Sequence, residues 1–374
     1  MADEPEQSES EPPAEHVPAH ERVSVVDVEG PEGEAKRRRR DRLKTIGRWL
    51  LLVLGVGAVV WLVFDVGPDA VWTALVGAGV FLPFVMLFEI GFVGMDVVSL
   101  RLMYGARARS VPGRVWLRSA MMAYGIMILL PAGRAGGEVM RAANLAPYIG
   151  GPRAAAGAAL LQGVTLWGNT LISIPCYAAV AYASGPTSVL ALLVAGNGLV
   201  TGVMGSAILF GARFSRVGGW LGRRIGALAA HGSHFDESLR DMPALPIGPI
   251  GAAFLGRISQ FVQYAIILVA VGGALTLVNA LCAQAIHLVG AGLGDMVPNQ
   301  VGVTEGAYRI FVDYLPLSEA EAIAIALVHR ICQFTLAGTS LAVGALWKPG
   351  EVARAEAHPH ATLAGSTTGS RDVA

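Results

Sequence analysis

Six long apolar runs constrain the fold of this chain more than any other feature of its sequence. They lie at about 46–66, 80–104, 154–182, 189–212, 250–274 and 320–346, and each has about the 20 residues that a helix needs to cross a bilayer. Charged residues make up only 15% of the sequence, against about 25% in a soluble domain. A segment inside the bilayer must satisfy its own backbone N–H and C=O groups, so such runs fold as helices. The sequence therefore predicts an all-α polytopic membrane protein.

The two ends of the chain differ in composition from this apolar middle. Residues 1–45 are acidic and rich in Pro and Glu, and they finish in the polybasic segment KRRRRDRLK at 36–44. Such a tail is too polar to bury a core, so it is predicted to be disordered, as is the tail 349–374. The membrane domain is predicted to span residues 46–348. Because basic residues flank the first and last runs, we expect both termini on the cytoplasmic side.

Two short motifs interrupt apolar sequence in the membrane domain. PAGRAGGE at 131–138 and PNQVGVTE at 298–305 each begin with a proline and finish with a glutamate. Helix-breaking residues at membrane depth are tolerated only where protein or a water-filled cavity surrounds them. Each motif is therefore predicted to form the tip of a re-entrant broken hairpin, within 115–148 and 275–315. The residues predicted to break the helices are Pro131, Gly136, Pro298 and Gly302.

The two hairpins belong to a predicted inverted repeat. Their prolines lie 167 residues apart, and the halves, about 80–182 and 250–346, are each predicted as span, hairpin and span. Basic loops place the first hairpin on the cytoplasmic side and the second on the opposite side. The prediction is thus six spanning helices plus two re-entrant broken hairpins in an inverted repeat, as in secondary transporters. In the alternative, 275–297 crosses the membrane alone and the C-terminus lies outside.

Charged and amide residues near both motifs are the candidates for a binding site. An ionisable group at membrane depth is costly, and it commonly marks a substrate or ion path. We expect the following residues to converge in a polar cavity between the hairpins and to bind the substrate: Glu138, Arg141, Asn299, Gln300, Glu305, Arg309 and Arg330. In the alternative interpretation the two glutamates only cap helix starts, and Arg141 and Arg309 reach toward the membrane surface.

Further polar residues lie within the predicted spans. Four charged residues are expected either to pair with one another as structural contacts or to take part in the site: Glu89, Asp96, Arg257 and Arg330. His287 and His329 are expected to make interhelical hydrogen bonds, with a proton relay as the alternative. The three cysteines all lie in apolar runs and are expected to be core residues rather than metal ligands.

The two motifs and their surroundings resemble a known family. LLPAGRAGGEVMRAANL and VPNQVGVTEGAYRI, the latter followed by AIALVHRI, are similar to the two signature regions of the flippase-like membrane protein family. That family includes the transmembrane domain of lysylphosphatidylglycerol synthase, with hopanoid-associated and glycosylation-associated relatives. The resemblance covers about residues 46–347 and implies a bacterial inner-membrane protein that binds or translocates lipid-like molecules. The positions that match the motifs are Pro131, Gly136, Glu138, Arg141, Pro298, Gly302, Glu305 and Arg330.

We therefore expect a translocase of lipids or lipid-linked intermediates. Its expected partners are membrane lipids and lipid-biosynthetic enzymes, and no nucleic acid, cofactor or metal is expected. Fewer than 30 residues follow the last run, so a synthase catalytic domain is not expected and the protein is predicted not to be an enzyme. An integral membrane enzyme would need metal-ligand motifs such as DDxxD or HxxxH, which the membrane domain lacks. A non-transporting accessory subunit of a lipid or envelope biosynthetic complex stays open as the alternative.

Overall fold

A computed structural model describes most of the predicted membrane domain. The described residues are 53, 56–129, 133–214, 229–243, 245–294 and 297–346. They are almost entirely helical and contain no β-strand. The all-α prediction is therefore confirmed, whereas both predicted tails lie outside the described residues.

Twelve α-helices follow one another in these described ranges. In chain order they are α1 (Val56–Val66), α2 (Pro68–Ala78), α3 (Leu82–Tyr104), α4 (Gly113–Leu129), α5 (Gly133–Ile149), α6 (Gly151–Ser184), α7 (Val189–Phe214), α8 (Ala229–Arg240), α9 (Ile247–Ala270), α10 (Leu277–Gly294), α11 (Val303–Ile310) and α12 (Glu319–Leu346). Proline and glycine mark several of the boundaries. Gly67 and Gly150 take positive φ just before α2 and α6, and Pro68 and Pro152 follow in the first two helical positions. A proline there loses no hydrogen bond, because the first N–H groups of a helix have no intrahelical acceptor.

Among the described residues, six helical segments are long and apolar enough to cross a membrane, the number that was predicted. They are Pro68–Ser110, Gly151–Ser184, Val189–Gly211, Ile247–Ala270, Leu277–Gly294 and Glu319–Gly344. The six segments differ from the six predicted spans in two places. The first predicted run is described only in part, as the short α1, and α10 is itself long enough to cross although it was predicted as one arm of a hairpin.

Helices α4 and α5 form the first hairpin and pack against each other in opposite directions. A methyl group on Gly137 would lie 2.6 Å from the carbonyl oxygen of Ala123, so the missing side chain lets the two helices touch. A methyl group on Gly136 would likewise lie 3.1 Å from Ile126. The prediction that Gly136 breaks the helix is wrong, because this glycine lies inside α5 and allows close packing. Pro131, the other predicted breaker, lies outside the described residues.

Helices α10 and α11 form the second hairpin. The Tyr308 hydroxyl of α11 donates a 2.8 Å hydrogen bond to the carbonyl oxygen of Ala283 in α10. Nearer the tip, a methyl group on Gly290 would lie 3.1 Å from the Cα of Thr304. The later residue of α11 thus meets the earlier residue of α10, so α11 folds back along α10. The chain turns back after α10, as a hairpin requires, even though α10 has the length of a span.

The break between α10 and α11 has an unusual backbone. A 3-10 turn occupies Pro298–Gln300, and within it Asn299 and Gln300 have φ values of +49° and +58°. Gly302 then takes φ +83° at the start of α11. Left-handed φ suits glycine but is rare for other residues, so two consecutive amide residues in this region need support from their surroundings. The helix is therefore interrupted between Pro298 and Gly302, the two residues that the sequence analysis named as breakers.

Helices α3 and α9 begin the two predicted halves, and they pack against each other in opposite directions. The Ser99 hydroxyl donates to the carbonyl oxygen of Pro249 at 3.0 Å, and the Ser259 hydroxyl donates to that of Phe88 at 2.8 Å. Other helices of the two halves make corresponding contacts: α6 packs on α10 as α12 packs on α4, and α5 packs on α6 as α11 packs on α12. An inverted repeat requires such pairs. The repeat itself stays a prediction.

Two large apolar clusters and a small third one form the core of the described residues, and buried polar residues lie between the two large clusters. Val85 of α3 belongs to one cluster and Leu100 to the other, and the buried Glu89 lies between them along the helix. Helix α9 is divided in the same way, because Tyr264 belongs to the first cluster and Ala253 to the second. The fold therefore carries a polar layer in the middle of its core.

Candidate functional site

The second hairpin brings its tip to the polar layer. Helix α4, which leads into the first tip, packs against the 3-10 turn Pro298–Gln300. Arg330, near the middle of α12, contacts the same turn. The two hairpins thus approach each other beside α12, and the hairpins and the helices packed on them carry three groups of polar contacts.

The first group joins Arg330 to Glu305. Arg330 Nε lies 2.5 Å from Glu305 Oε1, and the Glu305 side chain is fully buried. The second carboxylate oxygen of Glu305 accepts the backbone N–H of Gly302 at 2.8 Å. Arg330 also donates to the backbone carbonyl oxygens of Asn299 at 2.8 Å and Gln300 at 3.4 Å. One guanidinium therefore holds both the start of α11 and the turn before it.

These contacts explain why the break persists in its unusual conformation. A non-glycine residue in the left-handed region costs about 1–3 kcal/mol, so Asn299 and Gln300 strain the turn. Removing one partner of a buried ion pair costs about 3–5 kcal/mol, so Glu305 and Arg330 depend on each other. Glu305 caps α11, as the alternative interpretation has it, and it also neutralises Arg330.

The second group lies on α3 and α5. Arg141 Nε is 3.3 Å from Glu138 Oε2, and Arg141 Nη2 is 3.8 Å from Asp96 Oδ2. The Glu138 and Asp96 side chains keep 15% and 17% of their exposure, whereas Arg141 keeps 5%. The Ser119 hydroxyl of α4 donates to the carbonyl oxygen of Arg141 at 3.3 Å. The Arg141 guanidinium is therefore buried, whereas the carboxylates of Glu138 and Asp96 are partly exposed.

Two interpretations of this cluster from the sequence are wrong. Glu138 is the sixth residue of α5, so it does not cap the start of that helix. Arg141 is only 4% exposed, so it does not reach toward the membrane surface. Arg141 instead pairs with Glu138 and with Asp96 of α3, whereas the sequence analysis expected Asp96 to pair with the other in-span charges.

Arg309 lies away from both groups. It pairs with Asp65 of α1 and, at 3.0 Å, with Glu319 at the start of α12, and its guanidinium lies 5.5 Å from the centre of the Trp61 ring. The prediction that Arg309 converges with the other charged residues between the hairpins is wrong. The reason is the helical rise: Arg309 follows Glu305 by four residues, which carries it about 6 Å further along α11.

The third group centres on Glu89, which is 1% exposed. The Tyr124 hydroxyl of α4 donates to Glu89 Oε1 at 2.6 Å, and the Gln263 amide of α9 donates to Oε2 at 2.9 Å. His329 of α12 places Nε2 3.5 Å from Oε2, and its Nδ1 lies 2.9 Å from the Tyr264 hydroxyl. Four helices, α3, α4, α9 and α12, therefore meet at one carboxylate.

A polar branch extends this group along α9 to α10. Arg257 donates to the Gln260 side-chain oxygen at 2.9 Å, and the Gln260 amide lies 3.5 Å from His287 Nε2. Helix α9 carries Arg257, Gln260, Gln263 and Tyr264 at helical spacings of three and four, which puts them on one face. That spacing could have revealed the branch, but the sequence interpretation considered only its arginine. The expected pairing among the in-span charges is wrong for Glu89, Asp96 and Arg330, which bind His329, Arg141 and Glu305.

The cysteines and possible metal ligands add no further site in the part of the chain that the structure describes. Cys176, Cys282 and Cys332 are buried and make no disulfide, which confirms that they are core residues. No group of three His, Cys, Asp or Glu side chains in the described ranges is placed to hold a metal ion.

The fold and these contacts define a class of protein: a polytopic helical membrane protein in which two broken hairpins meet beside buried charged residues. The chain belongs to the family of the lysylphosphatidylglycerol synthase TM region, which matches residues 48–339. The resemblance that the two motifs indicated is thereby confirmed. No curated protein and no solved structure matches the chain.

Proposed function

We propose that this protein binds a lipid or a lipid-linked intermediate between its two hairpins and moves it across the bacterial inner membrane. One observation carries the proposal: helix α4 and the second hairpin meet beside buried charged side chains near the middle of α12. A charged headgroup in hydrocarbon is costly unless polar groups replace its water, and a layer of this kind supplies them. The acyl chains would stay in the bilayer. Membership of the family supports a lipid-like substrate.

The cluster of Asp96, Glu138 and Arg141 is the part of the site best suited to contact a headgroup. Each of its two carboxylates keeps part of its surface exposed, so a ligand can reach this cluster. Arg141 lies between them and offers several N–H donors to a phosphate or carboxylate. The cluster joins a span, α3, to an arm of the first hairpin, α5, and movement of that hairpin would change its access to either side.

The residues of the second tip divide into a supporting set and one free donor. Arg330 and Glu305 are fully engaged with each other and with the turn. The Gln300 side chain packs against α10, where a methyl group on Gly294 would lie 2.7 Å from it. The Asn299 side-chain nitrogen is buried and has no hydrogen-bond partner among the described residues. Asn299 therefore supplies a donor that a headgroup oxygen can accept.

The remaining parts of the proposal follow the charge pattern of the sequence. Both termini are placed in the cytoplasm, and the protein moves its lipid without catalysing a covalent change. Membrane lipids are the substrates, and enzymes that make or consume them are the protein partners. The inverted repeat gives the motion its form, because each hairpin can open the polar layer to one side of the membrane.

The test is a translocation assay with the purified protein in liposomes. The liposomes carry lipids with a fluorescent label on an anionic, zwitterionic or cationic headgroup, and a membrane-impermeant reductant bleaches the label on the outer leaflet. We expect faster bleaching of the inner pool than in protein-free liposomes. Glu138→Gln and Arg141→Gln should each slow translocation at least about tenfold, which corresponds to about 1.4 kcal/mol.

A matched variant separates this effect from a general effect of losing an arginine. Arg107 is exposed in the turn after α3 and makes no side-chain contact that involves the site, so Arg107→Gln should translocate at the wild-type rate. If wild-type protein moves none of the three headgroups faster than protein-free liposomes do, the proposal is wrong. The complete mutual satisfaction of Glu305 and Arg330 would then favour the accessory-subunit alternative, in which the charges serve only folding.

A further inference from the structure

We propose that the Glu89–His329 pair is a proton-binding site whose occupancy links the two hairpins, so that a proton gradient can drive the lipid movement. The link to lipid movement rests on the proposed function above. The binding of a proton at Glu89 does not, and it is tested separately below.

The surroundings of Glu89 differ from those of the other buried carboxylates. Glu305 faces Arg330, and Glu138 faces Arg141, so each has a permanently charged guanidinium beside it. Glu89 accepts hydrogen bonds from a tyrosine and a glutamine, and its ion-pair partner within the described ranges is a histidine. A proton can therefore neutralise Glu89 without leaving a buried guanidinium unpaired, which is not so for Glu305 or Glu138.

The titratable groups around Glu89 come from several helices. Tyr124 lies on α4 and bonds to the carboxylate directly. Tyr264 on α9 and Cys332 on α12 are close enough to interact with its charge, and His329 on α12 contacts it. Of these groups, only the Glu89 carboxylate and the neutral His329 imidazole can take up a proton, because the tyrosine hydroxyls and the thiol already carry theirs. The pair formed by His329 and Glu89 is therefore the part of this group that can bind an added proton.

The hydrogen bonds give the proton a route. His329 Nε2 faces the Glu89 carboxylate, so in the unprotonated state we assign the imidazole proton to Nε2, and Nδ1 then accepts from the Tyr264 hydroxyl. When a proton binds Nδ1, the Tyr264 hydroxyl turns to accept it. The Nε2 proton then passes to Glu89 Oε2, which leaves a neutral imidazole and a neutral carboxylic acid. One proton has been added, and the charge of the pair has changed from minus one to zero.

This change of charge reaches both hairpins. On one side, the Tyr124 hydroxyl bonds Glu89 from α4, and a bond to a neutral acid is weaker than a bond to a carboxylate. On the other side, the Tyr264 ring packs against rings of the second hairpin. The distance between ring centres is 4.7 Å to His287 of α10 and 6.5 Å to Tyr308 of α11. Protonation would thus loosen α4 of the first hairpin and reorient a hydroxyl packed on the second. A single proton bound to the Glu89–His329 pair would therefore change contacts of both hairpins.

The first experiment asks whether Glu89 binds a proton, and it needs no lipid movement. A hydrophobic carbodiimide reacts with a carboxyl group in an apolar site only when the group is protonated. Wild-type protein in liposomes is treated with it across a pH series, and the labelled glutamates are identified by mass spectrometry. We expect Glu89 to be labelled in acidic but not in alkaline buffer, whereas Glu305, equally buried but paired with Arg330, stays unlabelled throughout.

The His329→Leu variant tests the pair rather than the carboxyl alone. Without the imidazole the carboxylate loses a donor, so half-maximal labelling of Glu89 should move toward alkaline pH by about one unit, a tenfold change in proton affinity. Labelling of Glu89 that never occurs, or that has the same pH dependence in wild type and His329→Leu, overturns the proton site. Thermal unfolding verifies that the variant is folded. If it is not, His329→Gln is measured in its place.

The second experiment asks whether the proton is coupled to transport. Translocation is measured in liposomes with and without a pH difference across the membrane. Wild-type protein should move lipid at least severalfold faster with the gradient in one orientation, and Glu89→Gln should move it at one rate whatever the gradient. If wild-type protein moves lipid at the same rate with and without the pH difference, the proposed coupling is wrong. If wild-type protein moves no lipid at all, the proposed function fails, and the labelling result still decides the proton site.

Discussion

Neutralising Glu305 and Arg330 singly and together tests how the second hairpin is held. Glu305→Gln keeps the shape of the side chain and an oxygen that can accept the backbone N–H of Gly302, so the helix cap survives. It leaves Arg330 largely buried opposite a neutral amide. Because breaking a buried pair on one side costs about 3–5 kcal/mol, we expect the free energy of unfolding to fall by about that amount.

Arg330→Gln should be more destabilising than Glu305→Gln. It leaves Glu305 charged and fully buried, and it also removes the donors to the carbonyl oxygens of Asn299 and Gln300. A hydrogen bond from a charged group contributes about 1.5–3 kcal/mol, so the strained turn loses its support as well. In the double variant two neutral amides face each other and no charge is left unpaired. Its loss should therefore be smaller than the sum of the single losses by about 2–3 kcal/mol.

The assay is equilibrium unfolding of the purified protein in mixed micelles, followed by circular dichroism as denaturing detergent is added. Arg107→Gln is the control, and it should unfold within error of wild type because the Arg107 side chain is exposed. The reasoning is refuted if the double variant loses as much free energy of unfolding as the two single variants lose in sum. Such additivity would mean that Glu305 and Arg330 do not depend on each other. A Glu305→Gln loss below about 1 kcal/mol would also refute the reasoning, because that is the value of an exposed pair.

Two further substitutions test helix contacts near the site. Gly137→Ala should lower the free energy of unfolding by about 1–3 kcal/mol, because its methyl group would lie 2.6 Å from a backbone oxygen of α4, whereas Gly94→Ala on α3 meets nothing within 4 Å and should be neutral or slightly stabilising. Tyr124→Phe should lower it by about 1.5–3 kcal/mol by removing the hydroxyl that bonds Glu89, whereas Tyr182→Phe at an exposed position should have no effect. Both pairs are measured by the same unfolding assay, and equal effects of a substitution and its control would contradict the assigned contact.

The sequence predicted the fold class because bilayer physics leaves few options for long apolar runs. It also located the second hairpin, since proline and glycine inside an apolar segment need a protein environment. It misjudged Gly136, which it took for a helix breaker. A glycine in a helical segment either ends the helix or allows a neighbour to approach, and only the position of Ile126 on α4 shows that the second applies. Sequence spacing alone does not contain that information.

The site was harder to predict than the fold. Glu305, Arg309 and Arg330 were expected to converge, and two of them do. The third fails because α11 is only eight residues long, so its two ends lie in different environments: Glu305 faces the core, and Arg309 faces Asp65 and the start of α12. Pairing partners that are distant in sequence depend on how neighbouring helices are rotated, and a helix with lipid on one side and protein on the other does not reveal that rotation in its hydropathy.

Three glutamates of the polar layer can be distinguished by what neutralises each of them. Glu305 has a fixed cation and a helix start to bind, so its charge is constant and supports the hairpin. Glu138 has a fixed cation but keeps part of its surface exposed, which suits a group that exchanges protein contacts for substrate contacts. Among the described residues, the partners of Glu89 are hydroxyl, amide and imidazole groups, so its charge can change without leaving a guanidinium unpaired. A membrane protein that moves a polar group needs one residue that stabilises the conformation of the site, one that binds the substrate and one that responds to an energy source. The chemistry of each carboxylate's partners assigns these roles to Glu305, Glu138 and Glu89 in the proposed mechanism.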